Sequence, residues 1–145
     1  MRRANRRGEW RAVLGVALAA ASMLAAAADS SGDVERGRAL FHGETDLSAH
    51  LRGDPTPLPA SAVRCINCHT RTSRGEAFAP PLTADSLRTL SPRRGGPPTA
   101  YDRDAFCSAL ANSIDVANVV LVKAMPQYLQ SDSDCSALWA YLMTQ

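Results

Sequence analysis

The chain has 145 residues, 46% of them hydrophobic and 21% charged, with 16 Lys and Arg against 14 Asp and Glu. That composition supports a small folded domain with one core and excludes a disordered or low-complexity chain. The net charge of +2 comes from the N-terminus alone, so nothing in it argues for nucleic-acid binding.

Arg2, Arg3, Arg6, Arg7 and Arg11 make a basic start, followed by the apolar, Ala-rich run Ala12 to Ala28. Ala26-Ala27-Ala28 fits a small-residue cleavage site, so residues 1–28 read as a secretory signal peptide. The alternative is an uncleaved membrane anchor, but the run is near the lower limit for a span. Cleavage leaves residues 29–145 as one domain without a membrane span, in the periplasm. The signal's five arginines and one glutamate carry +4, so the mature domain has a net charge of −2.

Asp33 to His42 reads as a first helix, capped by Asp33, with Val34, Gly37, Leu40 and Phe41 on one stripe. Glu44 to Pro59 contains Gly53, Pro55 and Pro57 and reads as a loop. Ser61 to Thr70 is expected to form a short helical turn. It contains Cys65-Ile66-Asn67-Cys68-His69, the C-x-x-C-H pattern of covalent haem attachment. One turn presents both thiols to the same side, where they can add to the two vinyl groups of one haem, with His69 placed to ligate the iron. Composition alone yields about 0.002 such matches by chance.

Arg71 to Pro81 reads as irregular and Thr83 to Leu90 as a short helix with Asp85 near its start. Ser91 to Thr99, with two glycines and three prolines, reads as a loop, and Tyr101 to Ser113 as a helix. Asp115 to Ala124 is consistent with strand or helix by composition, and Met125-Pro126 ends it. Ser131 to Met143 is the last helix, with Ser131 and Asp134 at capping-box spacing. The pattern implies an all-α domain with much irregular chain.

A haem iron takes a second axial ligand. Met125, held in an irregular junction by Pro126 and Tyr128, is the candidate, because Met143 sits at the end of the last helix. His42, His50 and Lys123 are competitors; both histidines read as surface or structural residues. Phe41, Leu82, Tyr101, Phe106, Leu121, Tyr128 and Trp139 are the candidate apolar shell. In an exported domain Cys107 and Cys135 read as a disulfide, worth roughly 3 kcal/mol. Two unpaired buried thiols or a thiol switch loosening the segment around Met125 are the alternatives. Arg64, Arg71, Arg74, Arg88, Arg93, Arg94 and Arg103 crowd around and after the motif, either as a rim steering an acidic partner or as a solvated face.

With these residues the mature chain resembles the class I c-type cytochromes, small monohaem periplasmic proteins that include cytochrome c subunits of dehydrogenases. Gly37 and Phe41 resemble the family's first-helix pair, and Leu138 and Tyr141 its last-helix partners. Ala79-Pro80-Pro81-Leu82 resembles a Gly-Pro-x-Leu segment, with Ala79 replacing glycine. Ser113-Ile114-Asp115-Val116 stands where some relatives carry Gly-Ile-Asp-Pro. The resemblance implies a cytochrome c-like fold of three to five short helices wrapped around one haem, with long irregular loops. It implies one haem c attached through Cys65 and Cys68, with His69 and Met125 on the iron. It also implies a hydrogen bond from His69 Nδ1 to the Pro80 carbonyl, fixing the ring.

The expected activity is single-electron transfer without substrate chemistry, as a monomer or as a subunit of a redox complex. The expected partners are a periplasmic dehydrogenase, a membrane oxidoreductase or an oxidase. A haem protein with an open distal site, binding ligands or acting on peroxide, is the second reading, and a zinc module using Cys65, Cys68 and His69 the remote one.

Overall fold

The structure is a computed structural model that describes residues 31–70, 75, 77–93 and 95–145. The expected signal peptide and Arg71, Arg74 and Arg94 lie outside the described residues. The chain divides into Met1–Gly32 and Asp33–Gln145, and the second unit holds the elements described below apart from the first two residues of the first helix.

Helix α1 covers residues 31–42, so Asp33 lies inside it rather than at its cap. Then follow β1 (Ser48–His50), α2 (Ile66–His69), α3 (Ala84–Arg88), β2 (Ser91–Pro92), β3 (Pro98–Thr99), α4 (Arg103–Asn112), β4 (Gln127–Leu129) and α5 (Asp132–Leu142). Two antiparallel strand pairs join five helices, which corrects the all-α expectation: β1 pairs with β4, and β2 with β3. Both pairs lie in stretches expected to be loop or junction. Their strands are two or three residues long, shorter than any alternating pattern that would reveal them. In the first pair Ala49 stands opposite Tyr128, and both are buried.

Local chemistry sets the helix starts. Thr83 and Ser86 form a reciprocal capping box on α3. Asp102 accepts from the Ala105 amide on α4, and Ser131 from the Asp134 amide on α5. Helices α1, α4 and α5 bring Leu40, Phe41, Phe106, Leu110, Leu138 and Leu142 into one core. Gly37 is buried where α1 crosses α5. A Cβ there would overlap the Ala137 carbonyl and lie 2.7 Å from the Tyr141 Cβ. The Phe41 and Tyr141 rings meet at 5.6 Å. Cys107 and Cys135 are disulfide-bonded, Cα to Cα 5.9 Å, tying α4 to α5.

The segment Asp115 to Ala124, read as strand or helix, is neither. Its backbone is folded back by the buried Asp115 carboxylate, which accepts from the Ala117 and Val119 amides at 2.9 Å each. Ser113, the residue after α4, is in the left-handed region at φ 56° and fully buried, with its Oγ unpartnered. A glycine would remove both the Cβ strain and the orphaned hydroxyl, against a greater loss of backbone freedom. Ser113→Gly is therefore expected to raise the unfolding free energy by about 1 kcal/mol. Urea titration checks this; an unchanged or lower midpoint would mean that neither strain nor burial of the hydroxyl is costly here.

Candidate functional site

The C-x-x-C-H turn is built by a very short helix. Cys65 stands at the start of α2, and its carbonyl accepts from the Cys68 and His69 amides at 3.2 and 3.0 Å. Both Cys65 and Cys68 are free thiols. The chain then returns to grip the turn at two points. The Ala79 amide donates to the Cys68 carbonyl at 3.0 Å, and His69 Nδ1 bonds the Pro80 carbonyl at 2.7 Å. Ala79 has no positive φ, so its Cβ is accommodated without the backbone strain that would require glycine.

A carbonyl only accepts, so Nδ1 carries the proton and Nε2 presents its lone pair. That Nε2 is buried and has no partner. Burial lowers the His69 pKa, partly offset by the bond to Pro80, so the ring favours its neutral form. The structure thus holds a neutral imidazole with a fixed tautomer and an unused donor atom, which suits a metal ligand.

His69 and Cys65 line a narrow apolar cleft with a free volume of about 10 Å³. Its wall includes Phe41 from α1, Phe106 and Leu110 from α4, Leu138 and Leu142 from α5, and Leu47 and Leu82 from the connections. Met125 and Tyr128 also line it. Cys68 is half-buried on the same turn but is not part of the wall. Burial pushes the Cys65 thiol up to about 11. Tyr128 donates from its hydroxyl to the Val63 carbonyl at 2.8 Å, closing the cleft beside Cys65.

Met125 sits at the end of a turn in which its amide donates to the Val122 carbonyl at 3.0 Å. Strand β4 begins two residues later, so pairing with β1 anchors the methionine segment. The competing ligands are elsewhere. His42 Nε2 lies 3.2 Å from the Tyr141 hydroxyl, His50 Nδ1 lies 3.1 Å from the Leu51 carbonyl, and Lys123 is exposed. Of the expected shell, Phe41, Leu82, Phe106 and Tyr128 line the cleft, while Tyr101, Leu121 and Trp139 do not. Trp139 instead packs on Phe106 at 5.6 Å. Leu47, Leu110, Gln130, Leu138 and Leu142 line the cleft outside the expected shell, although Leu138 stands in the last-helix pair; the apolar stripes of α4 and α5 carry the signal for Leu110, Leu138 and Leu142.

The basic rim is only partly free. Arg93 donates to the Ser86 and Leu87 carbonyls at 2.7 and 3.1 Å and lies over the Tyr101 ring. Arg103 pairs with Asp104 and Asp132. Arg64 and Arg88 are exposed. Among the described residues no group of three or more His, Cys, Asp or Glu side chains is placed to hold a metal ion. No described helix is long and apolar enough to cross a membrane. Comparisons with protein-family models, with curated proteins and with solved structures find no match.

Proposed function

We propose that this chain is a periplasmic monohaem c-type cytochrome that passes single electrons between redox partner proteins. The observation that carries the reading is the buried, unpartnered Nε2 of His69. It faces an apolar cleft that also contains Cys65 and Met125. The residues present fit the group: two free thiols on one turn, a neutral imidazole, a thioether, and an otherwise largely apolar wall. Cys65 and Cys68 would tether the haem, and His69 and Met125 would ligate its iron. When bound, the haem supplies a one-electron Fe(III)/Fe(II) couple.

The chain's own contribution is orientation and exclusion of water. The Pro80 carbonyl fixes the ring of His69 and raises its basicity as a ligand. The wall from α1, α4 and α5 keeps solvent from the ligand side of that ring. Pairing of β1 with β4 holds the Met125 segment, so the ligands need little rearrangement between oxidation states. A thioether opposite an imidazole raises the reduction potential relative to two nitrogen ligands. The partners fitting this reading are a periplasmic dehydrogenase, a membrane oxidoreductase or an oxidase.

The test is an optical spectrum of the exported protein, produced with haem-attachment machinery, in both oxidation states. Covalent haem should survive denaturation, and the oxidised form should show the weak charge-transfer band of iron–thioether ligation. Met125→Ala should abolish that band, lower the potential and open the iron to carbon monoxide. Covalent haem lacking the band in the parent protein would favour the open-site reading; absence of covalent haem would overturn both.

A further inference from the structure

Gln130 stands between β4 and α5 and lines the same cleft as His69 and Met125. Its amide nitrogen donates to the Cys107 carbonyl at 3.3 Å. Its Oε1 is buried and has no hydrogen-bond partner. Exchanging the amide's ends would set two carbonyl oxygens against each other, so the nitrogen belongs on Cys107 and the oxygen is the free end. The carbonyl that orients the amide is itself braced, because Cys107 is bonded to Cys135 on α5.

An acceptor buried without a donor is costly in an apolar surrounding, and its dipole acts there with little screening. The same oxygen becomes favourable once positive charge is placed near it. Among the described side chains around the cleft, only those of His69, Tyr128 and Gln130 carry nitrogen or oxygen. His69 is engaged at Nδ1 with Pro80, and Tyr128 donates to Val63. Beside His69 Nε2, the Gln130 oxygen is the polar side-chain atom of these residues left without a partner.

We infer that Gln130 turns the negative end of its amide dipole toward the redox centre and favours the oxidised, more positively charged state. The inference rests on the haem reading above. Gln130 is a positioning residue for charge and does not ligate the iron. Removing the oxygen while keeping the bulk, as in Gln130→Leu, should favour reduction. Placing a full negative charge there, as in Gln130→Glu, should oppose it.

The experiment is a redox titration of the haem-loaded protein and the two variants, with the absorption spectrum recorded for each. Gln130→Leu should raise the Fe(II)/Fe(III) ratio at a fixed applied potential by about three- to tenfold, tenfold being 59 mV for one electron. Gln130→Glu should shift the ratio the other way, and its midpoint should fall as pH rises through the pKa of the introduced carboxyl. A residue that merely packed would move both variants in the same direction. That outcome, or an unchanged midpoint in a Gln130→Leu protein with the parent spectrum, overturns the inference and leaves the haem reading standing. Should Gln130→Leu fail to mature, the sign of the Gln130→Glu shift decides alone. Absence of covalent haem in the parent protein overturns the reading itself, and the inference with it.

Discussion

Gly37→Ala is expected to lower the unfolding free energy by about 2 kcal/mol, although alanine is the better helix former. Propensity alone favours alanine by about 1 kcal/mol in a helix interior. Against that stands the crossing of α1 and α5. The new methyl would overlap the Ala137 carbonyl and sit 2.7 Å from the Tyr141 Cβ. Both are fixed to the α5 backbone, so no flexible side-chain end can swing away, and the two helices must part. Overpacking of this kind typically costs about 1–3 kcal/mol, and more where backbone has to move. Parting the helices also loosens Phe41 from Tyr141, now 5.6 Å apart, and Phe41 lines the cleft. Urea unfolding of the parent and variant measures the effect. A variant as stable as the parent would show that the crossing has slack.

Removing the Cys107–Cys135 bridge, by Cys107→Ala with Cys135→Ala, should lower stability by about 3 kcal/mol. The bridge closes a sequence separation of 28 residues, and cross-linking a loop of that size restricts the unfolded chain. The enclosed segment contains Asp115, Met125 and β4, so the loss should be felt first on the Met125 and Tyr128 side of the cleft. Thermal and urea unfolding under non-reducing conditions, parent against double variant, provide the measure. A loss under about 1 kcal/mol would mean that the Arg103 ion pairs and the α4–α5 packing already hold the two helices together.

What could be read in the sequence was what lies close in sequence or obeys a helical period. The C-x-x-C-H turn is visible because five consecutive residues carry it. The close crossing at Gly37 is implied by the resemblance of Gly37 and Phe41 to a first-helix pair that packs across the last helix. The helices were placed to within a few residues, whereas Asp33 was assigned a cap it does not make, because α1 already covers residue 31. The strand pairs were not legible. Ser-Ala-His and Gln-Tyr-Leu have no strand signature, and they become strands only because the chain brings them together. Asp115 to Ala124 misled for the opposite reason. Its valines suggested regular structure, but an acidic side chain beside them captures the amides a strand or helix would use. Gln130 carried no signal, since a single polar residue between two elements looks like any loop position.

The pairing of β1 with β4 also sets an order of events. Ala49 and Tyr128 are 79 positions apart along the chain, so their meeting carries a large loop-closure cost and belongs late in folding. Until it happens, Tyr128 is not yet seated over Cys65 and the thiol remains open to reagents. Afterwards the same thiol is enclosed and held protonated, with its pKa pushed up to about 11 by burial, and a protonated thiol is a poor nucleophile. A group joined to Cys65 would therefore have to arrive before Tyr128 closes that side of the cleft.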